Sequence, residues 1–135
     1  MERVERFIGG WKDDAENIKP IFTTLLKELL RKDDVKIEFN ERPGISYSLR
    51  GIQKNQRDRP LFVMIDVIDD DPEERWLSVC FYGDMIKDPE ELGDLIPAGL
   101  LGADGHCFDI TESDEHLETY VCKRIREAYE STQTG

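Results

Sequence analysis

Apolar residues recur every three or four positions at Ile18, Ile21, Phe22, Leu25, Leu26 and Leu29. That spacing lines one face of a helix. Asn17 is placed to cap its start, and Pro20 is tolerable in the first turn, where its missing N–H has no partner to lose. A start at Asp13 instead makes Pro20 a kink. Arg31 and Lys32 suit the negative end of the helix dipole.

The period then changes to two. Val35, Ile37 and Phe39 alternate with Lys36 and Glu38, and after Arg42-Pro43-Gly44 the alternation resumes at Ile45, Tyr47 and Leu49. This predicts a β-hairpin with one wet face. Residues 53–59 read as a connection. Residues 61–68 and 76–82 carry apolar side chains on both faces and are predicted to be central strands, joined by a charged turn at Asp69-Asp70-Asp71-Pro72-Glu73-Glu74. Asp88-Pro89-Glu90-Glu91 predicts a short helix ending at Gly93. Residues 97–105 read as irregular chain, and 106–110 as a strand at most. A last helix, starting at Thr111 or Ser113, carries Leu117, Tyr120, Val121, Ile125, Ala128 and Tyr129 on one stripe.

The predicted fold class is α+β. A single antiparallel sheet of four to five strands carries an N-terminal and a C-terminal amphipathic helix on one face. One domain spans residues 1–135, with a loose N-terminal arm over 1–12 and a frayed tail over 131–135.

Charge changes this picture. The net charge is −12. Residues 1–67 hold 13 Lys/Arg against 12 Asp/Glu, and residues 68–135 hold 5 against 18. An acidic second half repels nucleic acid and anionic lipid, so neither is an expected partner. Cys80, Cys107 and Cys122 give an odd count without CxxC spacing, which suits a reducing compartment. No apolar stretch near Met1 serves as a signal region, and none is long enough to span a membrane. A cytoplasmic location is the expectation.

Candidate chemistry is sparse. The Asp69-Asp70-Asp71 run, with Asp66, Glu73 and Glu74, has oxygen ligands for a hard cation, but consecutive acids before Pro72 splay apart. His106, Cys107 and Cys80 have zinc chemistry, yet only three ligands, and adjacent strand residues face opposite sides. Cys80 and Cys107 are read as small buried hydrophobes. A Cys–His nucleophile at the same place lacks an orienting third group. His116 and Cys122 fall on different faces of the last helix. Leu101-Gly102-Ala103-Asp104-Gly105 lacks the lysine of a phosphate loop and reads as a surface turn. There is no GxSxG or HExxH motif. No metal and no cofactor are expected. One basic cluster remains: residues 36–59 hold six cations against three acids. Arg42, Arg50, Arg57 and Arg59 are its candidate ligand-binding residues, able to grip a carboxylate or phosphate.

The hairpin over 35–49, the strands over 61–68 and 76–82, and the flanking helices together resemble the frataxin and YjbR-like superfamily of small bacterial α+β domains, by order of elements. Frataxin implies iron on an acidic helix edge, which falls here at Asp13, Asp14 and Glu16 before the charge becomes mixed; no site is carried over. The chain is also similar to type III secretion chaperones, which are small, acidic and dimeric, although their second helix precedes the fourth strand. The expected function is a binding module for a protein or a small anionic ligand, with a homodimer among the candidate assemblies. The alternatives are an acidic secretion-type chaperone, and a metal-binding or enzymatic domain using His106 and Cys107.

Overall fold

A computed structural model describes residues 1–12 and 16–133. The alternating segment forms β1 (Val35–Arg42), which turns through Gly44 into β2 (Ser46–Gln53). Gly44 has φ +84°, a left-handed backbone that glycine adopts without a Cβ clash. β3 (Val63–Ile68), β4 (Trp76–Tyr82), β5 (Asp94–Leu100) and β6 (Ala103–Ile110) complete one antiparallel sheet in the order β1-β2-β3-β4-β6-β5. The two strands with apolar residues on both sides, β3 and β4, are its central pair.

The sheet has six strands, not four to five. Residues 97–105 are not irregular but contain the β5–β6 hairpin. Leu101 and Gly102 both take positive φ, +51° and +89°, the combination that closes a two-residue turn and pairs Leu100 with Ala103. The short helix expected after Asp88 is also absent. The Asp88 carboxylate accepts the Leu92 amide at 3.0 Å and the Gly93 amide at 2.8 Å, while its carbonyl accepts the Glu91 amide at 3.0 Å. A short polar side chain has here won the backbone donors that a helix needs.

Three helices pack on one face. α1 (Glu2–Gly10) replaces the expected loose arm, because Val4 and Phe7, one turn apart, bury against the sheet. α2 (Ile18–Leu30) follows its stripe, with Asn17 at the cap position but making no side-chain cap bond. The alternative start at Asp13 lies outside the described residues. α3 (Glu115–Gln133) begins later than Thr111 or Ser113, since Asp114 Oδ1 accepts the Leu117 amide at 3.0 Å and so caps it. It remains helical to Gln133, and the last two residues of the tail lie outside the described residues.

Phe39, Leu49, Ile65, Val79 and Phe108 meet Phe22, Leu25, Val121 and Ile125 in the main core. Glu28, only 4% exposed, ties α2 to α3 by accepting Arg126 Nε at 2.5 Å, with Lys32 Nζ at 3.6 Å. Without those cations its buried charge would cost several kcal/mol.

Candidate functional site

Strand alternation sends Leu49, Ile65, Val79 and Phe108 toward the helices. Their chain neighbours therefore occupy the opposite face. Register places Asn40, Ser48, Asp66, Ser78 and Asp109 in one polar line across five strands of that face. Toward one end of the same face, Leu61, Met64, Cys80, Tyr82, Leu100 and Cys107 form a second buried cluster, to which no α-helix residue contributes. The middle of the sheet on this side has no helix over it among the described residues.

Asp66 sits at the centre of the line. Its Oδ1 is buried and has no hydrogen-bond partner among the described residues. Burial is the main reason its pKa is raised; the Ser48 hydroxyl and the charges of Arg50 and Arg42 oppose the rise. Arg50 Nε donates to Ser48 Oγ at 3.3 Å. Neither Arg42 nor Arg50 forms an ion pair within 4.0 Å among the described residues. At the other side of the face, burial and the nearby charge of Asp94 raise the pKa of Asp109.

The four candidate arginines do not share one patch. Arg42 and Arg50 project onto the helix-free face through β1 and β2. Arg57 and Arg59 belong instead to the 54–61 connection, beside a concavity of about 370 Å³ lined also by Asn55, Gln56 and Thr132. Arg59 is already engaged. Its Nη2 lies 2.9 Å from Asp84 Oδ2, and its guanidinium stacks 4.2 Å above the Tyr82 ring.

The acidic run is divided. Asp69 is buried and accepts Arg75 Nε at 2.7 Å and the Gly44 amide at 2.8 Å, while Asp70 and Asp71 stay exposed. Arg75 had no sequence signal. Its guanidinium lies 5.1 Å from the Phe7 ring, 5.3 Å from Trp11 and 5.4 Å from Tyr47, which fastens α1 to the sheet end. A second concavity, about 380 Å³, adjoins it between Glu73, Glu74, Trp76 and Glu112.

His106 and Cys107 face opposite sides. Cys107 lies directly across from Cys80, with Cα atoms 4.1 Å apart, and the two sulfurs are bonded. Both are buried, as expected, but they are a disulfide and not two separate thiols. The reason is register, since the β5 strand between them in sequence is displaced to the sheet edge. His106 Nε2 lies 2.8 Å from Asp88 Oδ2, and Tyr120 donates to Asp88 Oδ1. Burial alone would raise the Asp88 pKa, but the Tyr120, His106, Gly93 and Leu92 hydrogen bonds outweigh it and hold the carboxyl well below the usual range. The cluster clamps the β4–β5 connection onto α3. A His–Asp pair can also move protons, but the neighbouring Cys107 sulfur, on the other face and bonded to Cys80, is no nucleophile for it. His116 pairs on the surface with Glu90 at 3.0 Å.

Among the described residues no group of three or more His, Cys, Asp or Glu is arranged to hold a metal ion. No described helix is long and apolar enough to cross a membrane. Comparison with protein-family models, curated proteins and solved structures finds no match.

Proposed function

We propose that the protein is a binding module without catalysis, which captures an acidic segment of a partner on the helix-free face of its sheet. The observation that carries this reading is the pair Arg42 and Arg50, held on an otherwise acidic protein without carboxylates in ion-pair contact. A guanidinium with no carboxylate in ion-pair contact is available to an external one. A sheet face without a helix over it suits a polypeptide better than a small molecule, which needs enclosing walls. The concavity beside Arg57 is the weaker candidate, because Arg59 is committed to Asp84 and Tyr82.

The test is a titration with a short poly-glutamate peptide, followed by amide shifts. Binding moves the amides of β1 and β2 and weakens as salt screens the charges. Replacing Arg42→Gln and Arg50→Gln together lowers affinity at least about tenfold and changes stability by no more than about 0.5 kcal/mol. A double variant that melts lower and binds the peptide as well as the parent contradicts the reading.

A further inference from the structure

The helix-free face is electrostatically two-sided. On the β1–β2 side Lys36 and Glu38 pair at 3.7 Å, while Arg42 and Arg50 have no carboxylate in ion-pair contact among the described residues. On the β6–β5 side stand Asp109 and Asp94, both exposed and without a cation in ion-pair contact among the described residues. Between the two sides lie Ile68, Asp66, Trp76 and Ser78 of the central strands. We propose that this face docks on the same face of a second copy of the chain, about a two-fold axis that runs along the strands midway between β3 and β4. The proposal rests on the reading of this face as the binding surface and names its partner.

Symmetry decides the axis. A two-fold interface must be complementary to itself, with each contact made twice. Two sheets stacked face to face can be related by an axis across the strands or along them. An axis across the strands sets each strand over its own copy, so that the side carrying Arg42 and Arg50 lies over the same side of the partner, like on like. An axis along the strands exchanges the two sides and keeps the rows, so that β2 faces β6 and β3 faces β4. The pairing Arg50↔Met64↔Cys80↔Cys107↔Asp94 then sets Arg50 over the partner's Cys107. Asp94 is one strand away from that point and Asp109 one row away. An arginine side chain spans that offset across sheets packed ~10 Å apart.

The uncharged positions agree. Ile68 pairs with Trp76 and Asp66 with Ser78 in the register of β3 and β4. The same rotation therefore sets Ile68 over the partner's Trp76, burying two apolar side chains that are half-exposed in one chain. It also sets Asp66 over the partner's Ser78, so that the polar line of each chain lies over the polar line of the other. One operation thus brings the basic side of each chain over the acidic side of the other and covers both half-exposed apolar residues.

The test is the molar mass in solution, by light scattering over a range of concentrations, with no added ligand. The parent protein approaches twice the 15.7 kDa chain mass and dissociates as salt rises. Arg50→Glu and Asp109→Arg each place like charges across the interface and weaken association at least about tenfold. The double variant Arg50→Glu, Asp109→Arg exchanges the charges and recovers it. Melting curves establish that each variant folds, and Arg42→Glu replaces Arg50→Glu if that one does not. A parent that stays monomeric, single variants that associate undiminished, or a double variant no better than the singles overturns the proposal. If a monomeric parent still binds poly-glutamate through Arg42 and Arg50, the face is a binding surface for a different partner; if it does not, the functional reading falls as well.

Discussion

The two faces of the sheet are built from the same strands and put them to different use. On the covered side, Leu49, Ile65, Val79 and Phe108 are all 0% exposed and meet three helices. On the open side the positions one residue away are Ser48, Asp66, Ser78 and Asp109, with Arg50 beside them. Burial of large apolar side chains stabilises the first by roughly 1.5–3 kcal/mol each. The second gains this only at one end, through the cluster around Met64, Cys80, Tyr82 and Cys107, and carries at its centre a carboxylate that burial disfavours. On the function proposed above, this face is the one kept for contact with a partner.

The largest effect that separates the two faces is a pair of substitutions on neighbouring strands. Phe108→Ala, in the covered core, is expected to lower stability by about 3–5 kcal/mol in denaturant unfolding. Arg50→Gln on the open face stays within about 0.5 kcal/mol. Equal losses would erase the distinction.

A smaller effect concerns the Asp88 clamp, which belongs to the covered side. The Asp88 pKa is depressed in the folded chain. Its contribution is therefore complete above the unfolded value of about 3.9 and is lost as pH falls through the lower folded value. Asp88→Asn should remove that acid-sensitive component and cost about 1–3 kcal/mol at neutral pH, because a neutral amide answers the Tyr120, His106 and amide donors less well. Unfolding curves at matched pH check both statements.

The smallest effect has the opposite sign. The Asp66 pKa is raised in the folded chain, mainly by burial, so the folded state holds its proton more tightly than the unfolded one. Stability then falls as pH rises from about 3.9 through the higher folded value. Asp66→Asn in dilute solution should flatten that fall and raise the melting temperature slightly. A variant that melts lower at neutral pH would mean that the charge is satisfied within the single chain.

Periodicity disclosed the elements that obey it. The stripe from Ile18 to Leu29, the hairpin alternation from Val35 to Leu49 and the doubly apolar central strands all appear where their spacing places them. The departures arise where short side chains decide the backbone. Asp88 closes a turn where Asp-Pro-Glu-Glu suggests a helix, and Leu101-Gly102 closes a hairpin where glycines suggest disorder of pattern. α1 was hidden because Val4 and Phe7 are the only buried residues in a charged stretch. The site was half legible. Charge counting finds Arg42 and Arg50, but their separation from Arg57 and Arg59, the polar line through Asp66 and the Cys80–Cys107 bond all follow from register across strands distant in sequence.

The two tryptophans report one face each, since Trp11 is 2% exposed in the covered core while Trp76 is half-exposed on the open side. The most direct measurement is therefore the broadening of their indole N–H signals by a neutral, soluble paramagnetic agent, in dilute and in concentrated protein. The expected result is that Trp11 is shielded at both concentrations, while Trp76 is broadened in dilute solution and shielded in concentrated solution. Equal broadening of Trp76 at both concentrations, or broadening of Trp11 at either, would contradict the division of the sheet into a face that holds the fold and a face that docks.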